Sequence, residues 1–208
     1  VEVCPIQLPG REDRIREASF KHLSPLIQVL TGTIRPYLNI PFALFGHSMG
    51  GLIGFELARH LRTQCDPEPT HLFISGRQAP QIRDRHPRLH TLPESEFLQE
   101  IRCLNGTPQS VLSNVELMQL LLPILRADFS ICGTYTYIDE PPLNCPITVF
   151  GGTDDPEAPA EVLAGWSTQT LATFSLQMLP GDHFFLHDSQ SLLLEMLSRQ
   201  LYGYCHCG

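Results

Sequence analysis

The sequence predicts an α/β fold, a mostly parallel sheet flanked by helices, with a helical insertion between two of its strands. Three observations predict it. Short, continuously apolar runs recur along the 208 residues, the pattern of strands buried on both faces of a parallel sheet. Stretches with apolar residues at helical spacing separate these runs. One long segment, about residues 79–139, carries helical pattern and no convincing strand.

VEVCPIQ, Val1–Gln7, reads as a strand cut off at its beginning, and LPGRED after it as a turn with Pro9 and Gly10 as breakers. Phe20, Leu23, Leu26, Ile27, Leu30, Ile34 and Tyr37 recur at helical spacing, and Pro25 kinks that helix or starts a new one. FALFG from Phe42 is a short strand of the doubly buried type. Gly51 to Arg62 is helical, with Leu52, Phe55, Ala58 and Leu61 on one face. HLFIS from His71, ITVFGG from Ile147 and FSLQML from Phe174 are three more strands, and a last helix runs from about Ser189 to Tyr202. Strands separated by helices imply right-handed βαβ units. Within the insertion, PESEFLQEI and NVELMQLLLPILRADF read as helices capping the sheet's edge, and Trp166 as helix-to-sheet packing.

Length and an apolar share of 42% suit a single domain spanning 1–208. The formal net charge of −8 argues against a nucleic-acid partner. No apolar run is long enough to span a bilayer, which argues against a membrane partner, and no signal peptide is visible. The seven cysteines are odd in number and irregular in spacing, which favours reduced thiols and a cytoplasmic setting. The tail Cys205-His206-Cys207 reads as a frayed end rather than a metal site.

Between the FALFG strand and its following helix lies GHSMG, a G-x-S-x-G pattern centred on Ser48. A serine on a tight strand-to-helix turn exposes its hydroxyl. Gly46 and Gly50 leave room for strand and helix to approach. The Met49 N–H, at the helix N-terminus, is a natural donor to a developing oxyanion. A serine hydroxyl needs a base. His47 is adjacent but reads as structural. His183, in LPGDHFFLHD, follows the last strand, with Phe184, Phe185 and Leu186 to pack its loop down. The carboxylate that orients the imidazole falls in VFGGTDDP. Asp155 is favoured over Asp154, because it stands three after Gly152 and directly before the stiffening Pro156. The chain order serine, aspartate, histidine is that of α/β-hydrolases.

Other features carry weaker signals. RQAPQIRDRHPRLH is a basic island, with Arg77, Arg83, Arg85 and Arg88 either meeting an acidic partner or a phosphate near the cap entrance or simply solvated. Arg126 and Asp128 suit structural hydrogen bonds. His183 and His187 have the spacing of a metal pair but no third ligand, so no metal is expected. No glycine-rich nucleotide loop is present, so no cofactor is expected.

LPGRE, FALFGHSMGG, HLFISGRQAP, GTPQSVL, LPILRADF, VFGGTDDP and LPGDHFFL together resemble the type II thioesterases that accompany nonribosomal peptide and polyketide synthases. The animal medium-chain fatty-acyl thioesterase is a relative. The resemblance implies an α/β-hydrolase fold with a helical lid, and a triad on Ser48, Asp155 and His183. It also implies hydrolysis of acyl thioesters from the phosphopantetheine arm of an acyl or peptidyl carrier protein. An acyl tunnel in the lid would be lined by residues such as Leu120, Leu121, Leu122 and Leu125. Two departures stand out. Gly181-Asp182-His183 replaces the usual Gly-Gly-His, placing an aspartate where positive φ is expected and a charge beside the base. The family's earlier strand and FPxAGG-like oxyanion loop lie before the point where this chain starts, so the chain is expected to lack its N-terminal portion. Two other readings use the same residues: a serine carboxylesterase or lipase acting on small oxygen esters, and an inactive binding module of the same fold.

Overall fold

HLFIS and ITVFGG, the two most completely buried strands, lie side by side at the centre of a four-stranded parallel sheet. The structure is a computed structural model describing residues 1–83, 88–104, 106 and 108–202. In chain order the elements are α1 (Leu23–Ile34), β1 (Ala43–His47), α2 (Met49–Thr63), β2 (His71–Ser75), α3 (Glu94–Cys103), α4 (Gln109–Leu112) and α5 (Val115–Gly133). Then come β3 (Ile147–Gly152), α6 (Ala160–Ala164), β4 (Phe174–Leu179), α7 (Phe185–Asp188) and α8 (Gln190–Tyr202). Sheet order is β1-β2-β3-β4, with Phe45 opposite Phe73, Ile74 opposite Val149 and Val149 opposite Leu176.

Period-two alternation divides the core. On one face, Leu72, Ile74, Ile147 and Val149 pack with Phe55 and Ala58 of α2 and with Leu163 and Trp166. Trp166 is fully buried, as expected, and its indole N–H donates to the Arg77 carbonyl at 2.7 Å. On the other face, Phe73, Phe150 and Leu179 meet Phe185 and Leu193 of α7 and α8. Helix α1 lays Leu23, Leu26, Ile27 and Leu30 against Leu52, Ile53, Leu57 and Leu61 of α2. Pro25 sits in the first turn of α1, where its missing N–H costs nothing, so it starts the helix rather than kinking it.

Two expectations are corrected. Val1–Gln7 forms no strand: among the described residues no sheet ladder pairs it, and Val1 is 84% exposed. FALFG is not doubly buried. β1 is the edge of the sheet, and with one face uncovered Phe45 is 48% exposed. The segment between β2 and β3 is helical as expected. Its helices α3, α4 and α5 gather Leu89, Phe97, Ile101, Leu112 and Met118 into a core of their own. Asn114 caps α5 by accepting the Leu117 N–H at 3.0 Å. Arg126 and Asp128 make structural contacts: the first donates to the His90 and Leu92 carbonyls, and the second pairs with Arg11.

Candidate active site

Where β1 runs directly into α2, Ser48 bridges them with φ 50° and ψ −115°. That conformation costs about 1–3 kcal/mol, so its surroundings must enforce it. The Ser48 N–H donates to the Ser75 carbonyl on the neighbouring strand at 2.7 Å, and the Gly51 N–H donates to the Ser48 carbonyl at 3.0 Å. Gly46 is indispensable: a β-carbon there would stand 2.0 Å from the Gly50 carbonyl oxygen. Gly50 does not play the role expected of it, since a β-carbon on it would meet nothing within 4 Å. The second close approach belongs to Gly51, whose β-carbon would lie 3.2 Å from both the Gly46 carbonyl and Ile74. Met49 opens α2, and among the described residues its N–H has no acceptor. It is available to a developing oxyanion.

Asp155 and His183 come together at the carboxyl ends of β3 and β4. Asp155 Oδ2 accepts from His183 Nδ1 at 2.7 Å, while Oδ1 accepts the Glu157 N–H at 2.8 Å and the Ala158 N–H at 3.3 Å. Burial alone would push this carboxyl up. The His183 hydrogen bond and charge and the two backbone donors outweigh it, holding Asp155 below the usual carboxylate range. Asp154 is exposed and touches Thr153, so of the two aspartates it is Asp155 that meets His183.

The His183 loop is packed down as its apolar neighbours suggest, with Phe185 fully buried. The expectation of positive φ at Asp182 is corrected. Gly181 takes it, at 123°, and Asp182 instead accepts the Phe184 N–H through Oδ1 at 2.8 Å, capping the turn into α7. His47 is a structural residue of the elbow. Its Nδ1 is hydrogen-bonded to the Ser75 hydroxyl at 2.9 Å, and its ring centroid lies 5.0 Å from that of His183. Burial, then the nearby His183 charge, lowers its pKa to about 4, so it is neutral at ordinary pH. Sequence reasoning missed Ser75 and Gly76. Gly76, φ 57°, leaves space for both imidazoles: a β-carbon would lie 2.8 Å from His47 and 3.3 Å from His183.

Ser48 and His183 open onto one cavity of about 220 Å³, walled by Ile101, Leu104, Leu125 and Phe129 of the insertion and by Phe184. Among the described residues no hydrogen bond joins the Ser48 hydroxyl to the His183 ring; the two share a wall. The leucine tunnel is corrected in part: Leu125 lines the cavity, whereas Leu120 is 53% exposed and Leu122 packs inside the insertion. A run of leucines on a helix turns only one in three or four toward a given neighbour. Of the basic island, Arg77 borders the cavity, Arg83 and Arg88 are exposed, and Arg85 lies outside the described residues, as does the Cys205–Cys207 tail. No group of three or more His, Cys, Asp or Glu among the described residues is placed to hold a metal ion.

A strained serine on an elbow, with a histidine–aspartate pair at the next strand ends, is hydrolase geometry. The thioesterase domain family matches residues 1–201. This chain belongs to the thioesterase family. It is 50% identical over 201 residues to the gramicidin S biosynthesis protein GrsT of Aneurinibacillus migulanus, covering 97% of this chain and 78% of that one. It is 37% identical over 190 residues to the thioesterase PikA5 of Streptomyces venezuelae, covering 90% and 67%. Among solved structures, RedJ, a thioesterase from the prodiginine pathway of Streptomyces coelicolor, superposes with a TM-score of 0.87 at 38% identity, covering 93% of this chain and 77% of RedJ. As in these thioesterases, the fold is the α/β-hydrolase type. Among the described residues no helix is long and apolar enough to cross a membrane.

Proposed function

We propose that this thioesterase uses Ser48, His183 and Asp155 as its catalytic triad and removes acyl groups from the phosphopantetheine arm of an acyl or peptidyl carrier protein. Ser48 Oγ attacks the thioester carbonyl carbon while His183 Nε2 takes its proton. Asp155 holds the His183 tautomer and stabilises the imidazolium. The Met49 N–H donates to the oxyanion. The C–S bond then breaks, and the pantetheine thiol leaves with the proton from His183. Water attacks the acyl-enzyme, giving its proton to His183. The carboxylic acid departs, and Ser48 recovers its hydrogen.

The observation that carries this reading is the 2.7 Å hydrogen bond from His183 to the buried Asp155, with His183 and Ser48 on one cavity wall. The carrier-protein substrate is supported by the likeness to YbtT, a type II thioesterase from the yersiniabactin NRPS/PKS biosynthetic pathway. The insertion acts as a lid over the acyl group within a single domain spanning 1–208, and the protein works in the cytoplasm. The test compares hydrolysis of acyl-phosphopantetheinyl carrier with p-nitrophenyl esters. Faster turnover of the carrier substrate is expected. Rapid ester hydrolysis with the carrier ignored overturns the substrate assignment, and failure of a fluorophosphonate to label Ser48 overturns the nucleophile.

A further inference from the structure

Arg11 and Asp128, 117 residues apart, form an ion pair whose side chains are 29% and 24% exposed. Arg11 stands on a turn with little freedom. Gly10 has φ 85°, a β-carbon on it would collide with the Ser19 hydroxyl at 2.1 Å, and its N–H donates to the Arg14 carbonyl at 2.9 Å. Arg14 in turn donates to the Gln7 carbonyl at 2.8 Å. Asp128 stands on α5, next to Phe129 and three residues after Leu125. Leu125, Phe129 and Cys132 recur at helical spacing and all border the cavity that Ser48 opens onto.

Helix α5 belongs to two cores. Met118, Leu122, Leu125 and Phe129 pack among the insertion helices, whereas Ile131 packs with α1 and α2. Tyr135, just beyond the helix, donates to Glu56 of α2 at 2.7 Å. Within the helix, Pro123 removes one backbone donor and weakens the ladder on the insertion side. Asp128 therefore sits where the helix passes from body to insertion. Among the described residues, its bond to Arg11 is the one ion pair α5 makes.

We propose that Arg11 and Asp128 are a positioning pair that sets acyl-chain selectivity, fixing how far the Leu125–Phe129–Cys132 face of α5 stands from Ser48. The inference rests on the reading of this cavity as the acyl pocket. Losing one partner leaves the other charge half-buried and unpaired, and the helix relieves this by moving. The cavity wall moves with it, so long and short acyl groups are affected unequally.

The test measures kcat/KM of the full chain on acetyl-, hexanoyl- and decanoyl-pantetheine thioesters, with melting temperature recorded alongside. Arg11→Gln and Asp128→Asn are each expected to change the decanoyl-to-acetyl ratio by about fivefold or more. The double variant is expected to go no further than the larger single one, because the pair is lost only once. Arg11→Lys, which keeps the charge but not the planar fork, is expected to shift the ratio less and in the same direction. It supplies the readout if the neutral variants do not fold. Parallel losses on all three substrates with a lower melting temperature would mean a purely structural pair and overturn the inference. So would ratio changes that add fully in the double variant. Wild-type protein that hydrolyses none of the three overturns the acyl-pocket reading itself, and this inference with it.

Discussion

The carbonyl oxygen of Asp182 rests against the α-carbon of Gly152, where a β-carbon would stand 2.2 Å from it. The Gly181 carbonyl is nearly as close, at 2.5 Å from the same point. The end of β3 and the loop carrying His183 are therefore packed backbone to backbone. The Asp154 N–H donates to the Gly181 carbonyl at 2.9 Å and sews them together. That contact brings Asp155 within reach of the imidazole.

Gly152→Ala should displace the His183 loop, because both obstructing groups are main chain and cannot rotate away. A misplacement of about 1 Å costs on the order of 100-fold in rate. A drop of that size in kcat, with far-UV circular dichroism unchanged, is expected from steady-state assays. An alanine variant with full activity would contradict the close contact.

The two glycines of GHSMG should respond differently. Gly46→Ala meets the Gly50 carbonyl at 2.0 Å and should fail to form the elbow, giving insoluble or inactive protein. Gly50→Ala meets nothing within 4 Å and lies in the first turn of α2. It should keep activity within a few-fold and gain about 0.5–1 kcal/mol from reduced backbone entropy. Urea unfolding and turnover of both variants check the contrast.

Asp155→Asn should lower kcat on the order of 10³–10⁴-fold while leaving KM little changed, since an amide no longer stabilises the imidazolium or its tautomer. Asp154→Asn should have almost no effect, because Asp154 is exposed. Comparable losses in the two variants would sink the assignment of Asp155.

Stability should fall as pH falls from about 6.5 to about 4. Burial lowers the pKa of His71 to about 4, and burial together with the His183 charge lowers that of His47 to about 4. In the unfolded chain both rings take protons near the ordinary 6.5. The unfolded state then binds more protons across this window, so unfolding becomes easier as acid is added. Replacing His71, which stacks on Phe73 and bonds Thr148 at 2.9 Å, with Gln should flatten the slope of urea midpoint against pH.

Much of the site was legible because its parts are local. Ser48, Asp155 and His183 each follow an apolar strand closely, and a parallel sheet brings all such strand ends to one edge. That Asp155 rather than Asp154 meets His183 was signalled by its distance from Gly152 and its neighbour Pro156. What escaped were long-range contacts. Ser75 serves the elbow through its carbonyl and His47 through its hydroxyl, and nothing in HLFIS signals either role. The cavity wall drew on Ile101, Leu104 and Phe184 as well as Leu125, residues that only folding gathers. Val1–Gln7 reads as a strand, but a strand exists only where a neighbour supplies its ladder, and none does among the described residues. Asp182 was misjudged because the positive φ shifted one residue back, to Gly181.

Helices α3 to α5 leave the sheet after β2 and return before β3, and none of Ser48, Asp155 or His183 lies among them. On the proposed reading, most of the apolar wall that would gauge the acyl chain, Ile101, Leu104, Leu125 and Phe129, comes from one continuous stretch, whereas the cutting residues come from the strand ends. A chimera carrying a relative's helices there, with the turn around Arg11 matched to them, is expected to take on that relative's taste in chain length and keep this protein's own chemistry.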